Sequence, residues 1–217
     1  MSTPTLVVGN KNYSSWSLRP WLAMKQLGIA FQEVRIALYV PGYKDELLRY
    51  NPAGKVPCLL EGATPVWDSL AILEYLAETH RTLWPAAPAA RALARSISAE
   101  MHSGFPHLRE HMCMNVRKRF PGKGRNPVAL ADVARVVAIW SDCRARYSGG
   151  GPFLFGGFTA ADAMYAPVVL RFRTYQVALP SVCRAYADVM LALPAMREWI
   201  DAAERETESL PQFDLYG

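Results

Sequence analysis

Two short stretches concentrate the side chains that could do chemistry. The first is Tyr13-Ser14-Ser15-Trp16-Ser17-Leu18-Arg19, where three hydroxyls precede a helical run that Gly28 closes as a left-handed terminator. Pro20 is tolerated only in a first helical turn, which predicts a cap near Ser17 and turns the loop serines toward a helix N-terminus. The second runs from Asn51 to Tyr75. Asn51-Pro52-Ala53-Gly54 is a turn signal, Val56–Leu60 reads as a short strand, and Asp68-Ser69 precedes Leu70, Ile72, Leu73 and Leu76 at helical spacing. Pro57 cannot donate to a sheet ladder, so it belongs at a strand start or edge, and its peptide bond is a candidate cis bond. Val56 is then left with unpaired backbone groups that could hold an extended peptide. Lys55 adds a cation beside them, and the Asp68-Ser69 helix mouth, with free N–H groups, adds one carboxylate and an anion site.

The ligand that suits these groups is a short peptide. Its α-ammonium would meet Asp68, the adjacent carboxylate Ser69 and the helix N–H groups, an amide Val56, and a second carboxylate Lys55. Glutathione carries those four groups in that order. The run N-P-A-G-K-V-P followed by a D-S cap resembles the glutathione-binding half of the cytosolic glutathione transferases, and the resemblance extends over nearly the whole chain. The S-S-W-S loop looks most like the serine-type members and is similar to the zeta class, with Trp16 where that class carries cysteine.

The resemblance implies that glutathione is a co-substrate whose thiol is held as thiolate, the form that attacks. A free thiol has a pKa of about 8.5, and lowering it by roughly two units takes about 2.7 kcal/mol. One hydroxyl hydrogen bond to an anion supplies about 1.5–3 kcal/mol. Ser14 stands five residues before Arg19, where serine-type members place the activating hydroxyl; Ser15 is the runner-up, and Tyr13, the donor type of other classes, comes third. Lys55, Val56, Pro57, Asp68 and Ser69 are the expected glutathione-binding residues. No cysteine precedes Cys58, so thiol–disulfide exchange at the helix mouth has no nucleophile of its own.

The elements that must position these residues are expected in the order β-α-β-α-β-β-α: strands at Thr5–Val8, 31–37 and 56–60, with helices to Leu27, over 44–49 and after Ser69. The fold class is thus an α/β thioredoxin-like domain over 1–80, a Pro-containing linker over 81–89, and an all-helical domain over 90–217 contributing the electrophile pocket; the thioredoxin-like strand order comes from the resemblance. Helices are expected over 90–115, 127–147, 159–175, 181–191 and 195–205. Leu130, Val133, Val137 and Trp140 mark the buried face of the second, and Thr159 with Asp162 forms a capping box on the third, which Pro167 is expected to kink.

At 217 residues, 51% hydrophobic and 20% charged, the chain can bury a sizeable core. No apolar run approaches membrane-spanning length and no signal peptide is evident, so a cytoplasmic protein is expected. Four scattered cysteines, with no C-x-x-C pair, suit a reducing compartment. The net charge of +5 is partly local, in Arg117, Lys118, Arg119, Lys123 and Arg125, read as a solvated loop; without aromatic interleaving, no nucleic-acid partner is expected. His107-Leu108-Arg109-Glu110-His111 matches H-x-x-E-H, a pattern short enough to arise by chance, and no metal is expected. Met101, His102, Phe105, Met112 and Met114 are expected at a pocket wall, a dimer surface or in the core, and Arg171, Arg173 and Tyr175 face either pocket or solvent. The resemblance implies a detoxifying transferase acting on a small electrophile, and a homodimer with surface to spare near Trp84 and Arg91–Arg95. The alternatives are zeta-like cis–trans isomerisation of a maleylacetoacetate-type diacid and a non-catalytic glutathione-binding scaffold.

Overall fold

The computed structural model describes residues 3–217. Strands β1 (Thr5–Val8), β2 (Gln32–Arg35), β3 (Cys58–Glu61) and β4 (Thr64–Trp67) form one sheet in the order β2-β1-β3-β4. β1 and β2 are parallel, joined by the crossover helix α1 (Ser15–Gln26), while β3 runs antiparallel to β1 and forms a hairpin with β4. α2 (Tyr43–Leu48) and α3 (Ser69–Thr79) complete an α/β thioredoxin-like domain. The side-chain alternation of a strand explains its two layers: Leu6 and Val8 pack with Trp21 and Ile72 on one face of β1, and Val7 packs with Ile36 and Leu47 on the other.

Ser14, not Ser17, caps α1, accepting a hydrogen bond from the Ser17 N–H, so Pro20 lies inside the helix. At the other end Gly28 takes φ +68°, with its N–H on Lys25 O and the Ile29 N–H on Met24 O, a Schellman closure. Val56-Pro57 is cis and precedes β3, which starts two residues later than the apolar run suggests.

The rest of the chain is helical: α4 (Pro88–Ser103), α5 (Pro106–His111), α6 (Pro127–Tyr147), α7 (Ala160–Tyr175), α8 (Ser181–Ala192) and α9 (Pro194–Glu204). The single helix expected to Asn115 is broken in two. Gly104 ends α4, Phe105 turns to φ +59°, and Pro106 has no N–H with which to continue the ladder. Asp132 of α6 supplies the missing cap by accepting from the Leu108 N–H at 2.9 Å. α7 is the core helix, buried along nearly its whole length with Pro167 inside it, and packs against both α1 and α4.

Several surface expectations need correction. The buried face of α6 is Ala129, Val133, Val136, Ile139, Trp140 and Cys143, while Leu130 is 42% exposed. Trp84 is only 4% exposed: its indole donates to Glu74 and Arg95 lies over its ring, so it offers no spare apolar surface. Arg117 is no solvated loop residue but ties the carbonyls of Glu206 and Glu208 and the Tyr13 hydroxyl together. No helix among the described residues is long and apolar enough to cross a membrane.

Candidate active site at the mouth of α1

A cavity of about 720 Å³ opens where the sheet domain meets the helical part. Ser14, Ser15 and Trp16 line it from the mouth of α1; Tyr39, Lys55 and Val56 line it from the loops before β3, and Arg109, Arg171 and Phe213 from the far side. Lys44, Lys55, Arg109 and Arg171 all line it, and no acidic side chain does among the described residues.

The loop hydroxyls have different partners. Ser14 is 6% exposed, and its Oγ lies 2.8 Å from Ser17 Oγ and accepts the Ser17 N–H at 3.4 Å. Ser17 Oγ in turn accepts the Gly9 N–H. When the Ser17 hydroxyl donates to Ser14, both lone pairs of Ser14 are occupied and its own proton is left for the cavity. Ser15 Oγ faces Arg171 Nη2 at 3.5 Å. Tyr13 has no proton to spare, because its hydroxyl donates to the Asp214 carboxylate at 3.0 Å and accepts from Arg117 and the Leu210 N–H.

Of the expected binding residues, Lys55 and Val56 meet the serines at the cavity, while Pro57, Asp68 and Ser69 stand outside its lining. The backbone N–H and C=O of Val56 have no partner within the chain among the described residues, and Lys55 is exposed without an ion pair among them. The mouth of α3 is less open than its sequence suggests. Asp68, at φ +73°, caps the helix itself by accepting from Leu70 and Ala71, and its other oxygen lies 3.3 Å from His102 Nε2. Ser69 is buried, and its Oγ accepts from Arg19 Nη1 at 3.2 Å.

Sequence reasoning gave Arg19 no binding role. It is 0% exposed, with Nε and Nη2 unpartnered, and its guanidinium stacks 4.3 Å from the Trp16 ring centroid. Arg109 lies 4.7 Å from the same ring, and His102 meets it edge-on. Loss of solvent and then the neighbouring Arg109 and Arg171 push the Arg19 pKa well down; burial and Arg109 push Arg171 down to about 10. Burial also lowers His102, which favours the neutral imidazole beside Asp68. Cations held this close together out of water repel one another, and an anion among them would relieve that cost. Met101, Phe105 and Met112 go to the core, leaving Met114 as the one of the expected methionines and aromatics that lines the cavity. Tyr175 is buried with its hydroxyl on Cys113 O, and Arg173 faces Glu204.

Comparison with known proteins places this geometry. Residues 13–79 match the family model "Glutathione S-transferase, N-terminal domain" and residues 126–202 match "Glutathione S-transferase, C-terminal domain". The maleylacetoacetate isomerase of Rattus norvegicus is 37% identical over 182 residues, covering 81% of each chain. The probable maleylacetoacetate isomerase of Caenorhabditis elegans is 37% identical over 107 residues, 48% of this chain and about half (49%) of that protein. Among solved structures, a glutathione transferase homolog from Burkholderia with bound glutathione superposes with TM-score 0.69 at 21% identity, over 93% of this chain and 98% of that one. From the paired domain matches and the rat relative, the chain belongs to the glutathione S-transferase family.

Proposed function

We propose that this glutathione transferase holds the thiol of glutathione as a thiolate on Ser14 and adds it to a small, partly apolar electrophile bound beside Trp16. Ser14 carries the reading: a buried hydroxyl at a helix N-terminus whose proton is left for the cavity when the Ser17 hydroxyl donates to it. The helix end adds a favourable field for an anion. The unpaired backbone of Val56 before cis-Pro57 receives the peptide, Lys55 meets its glycyl carboxylate, and Asp68 and Ser69 meet the ammonium and carboxylate of its glutamyl end. Asp68 spends one oxygen on its own cap, so only the other is left for the ammonium, while Ser69, whose Oγ accepts from Arg19, keeps its proton for the carboxylate.

Replacing Ser14 by Ala removes one hydrogen bond to a charged group, about 1.5–3 kcal/mol, or roughly 10- to 150-fold in turnover. The thiolate absorbance of bound glutathione should titrate one to two units higher, with glutathione affinity nearly unchanged. Unchanged turnover in Ser14→Ala would move the role to Ser15, which faces the Arg171 guanidinium. Binding without turnover on a broad electrophile panel would favour a scaffold.

The four cations along the cavity, Lys44, Lys55, Arg109 and Arg171, support a second reading, isomerisation of a maleyl-type diacid with catalytic glutathione. The rat and nematode relatives, both maleylacetoacetate isomerases by name, favour it, and Trp16 in the cysteine position weighs against it. Loss of the diacid absorbance on adding the enzyme would establish it. A cytoplasmic setting fits four free, buried cysteines.

A further inference from the structure

The H-x-x-E-H run that sequence reasoning set aside has a geometry of its own. On α5, His107, Glu110 and His111 bring one ligand atom each to within 4.8 Å of one another. Glu110 Oε2 lies 3.9 Å from His107 Nδ1 and 3.8 Å from His111 Nε2, and the two imidazoles stack with centroids 6.3 Å apart. Spacings of three and four residues put all three on one helix face.

Two imidazole nitrogens and a carboxylate oxygen are a donor set that zinc accepts at about 2.0–2.2 Å, which sets the corners of its tetrahedron about 3.4 Å apart. To share one ion the two near-parallel rings must turn about their side-chain bonds until both nitrogens point at one centre, a motion open to side chains that are 45%, 68% and 32% exposed. No other side chain among the described residues is hydrogen-bonded to these three ligand atoms. The opposite side of α5 carries Arg109, which reaches the Trp16 ring and ties back to the carbonyls of Gly104 and Met101 across the α4–α5 break. The helix is six residues long, starts from a left-handed Phe105, and borrows its cap from Asp132.

We propose that His107, Glu110 and His111 bind one divalent transition-metal ion of the zinc type on the outer face of α5, with water completing its shell. The ion spans one turn and braces the short helix that presents Arg109 to the cavity. The site lies outside the glutathione cavity and does not depend on how that cavity is used.

The test is calorimetric titration of the metal-stripped full chain with zinc chloride, with cobalt(II) followed by visible absorption in parallel. One zinc per chain is expected, with affinity at least about tenfold weaker in His107→Ala and in His111→Ala, and with the intense cobalt band of a low-coordinate site lost in both. Far-ultraviolet circular dichroism and glutathione affinity, unchanged in the variants, show that they fold. Absence of saturable uptake, or uptake that survives His107→Ala/His111→Ala and so belongs to the cysteines, overturns the proposal.

Discussion

Neighbouring hydroxyls at Tyr13 and Ser14 differ in where their protons are held. Tyr13 gives its proton to Asp214, so Tyr13→Phe is expected to leave the pKa of bound glutathione where it is while loosening the C-terminal tail; an upward shift matching that of Ser14→Ala would reverse the assignment. Arg19 is the opposite case, a cation with too few partners. Replacing a buried charge by an apolar side chain of similar volume is often neutral or stabilising. Arg19→Met should therefore melt no lower than the parent when empty, yet bind glutathione about tenfold more weakly, since the bound carboxylate loses the positive charge held behind Ser69. Calorimetry with unchanged affinity would remove Arg19 from the site. Lys55, Asp68 and Ser69 could be put forward from sequence because caps and turns are local, set by residues within a few positions; Ser14 came from the resemblance, since the cap signal pointed to Ser17. Arg19 and Arg171 could not, because which side of a buried helix faces a cavity depends on what packs against it from a hundred or more residues away.

At the scale of elements, the Thr159–Asp162 capping box shows how much a local motif can understate. Asp162 is fully buried and accepts from the Thr159 N–H and hydroxyl, and also from the Leu154 N–H, so it fastens the preceding loop to α7. Burial outweighs these bonds and pushes its pKa up to about 6. An unfolded aspartate titrates near 3.9, so between about pH 4 and 6 the folded chain keeps a proton that the unfolded chain has lost. Its contribution to stability is therefore greatest below about pH 4 and declines as pH rises through 6. Asp162→Asn stays neutral throughout, so its destabilisation, measured by urea unfolding, should be largest at or below about pH 4 and shrink toward pH 7. A constant difference would refute the shift. The strands and α7 were legible from periodicity and, for α7, from its capping box, whereas α1 was found with its cap three residues too late. The α4–α5 break was signalled by Gly104-Phe105-Pro106 but masked by the apolar residues on either side, which fit a helix and a packed turn equally well.

Across the whole molecule, the segment after α9 carried no periodic signal, yet it joins the two halves. Glu206 accepts the N–H groups of Lys11 and Asn12, Asp214 holds Tyr13 and Asn115, and Phe213 stacks on Tyr13 and Tyr39 at the cavity wall. Deleting residues 206–217 should leave both sets of elements folded but raise the KM for glutathione, because the loop before Ser14 loses its anchors; an unchanged KM would make the tail ornamental. The tail also bears on assembly. A homodimer is expected from the family, and a symmetric two-fold pair is the commonest closed assembly. Within one chain the cavity already has walls from both sets of elements, with Phe213 of the tail among them. A site built from these residues alone would work in a single chain. Sedimentation equilibrium at micromolar protein should give twice the 24.2 kDa of one chain, and activity per chain should hold steady on dilution through dissociation for as long as the monomer stays folded. Activity that falls in step with dimer concentration would mean that the partner supplies part of the site.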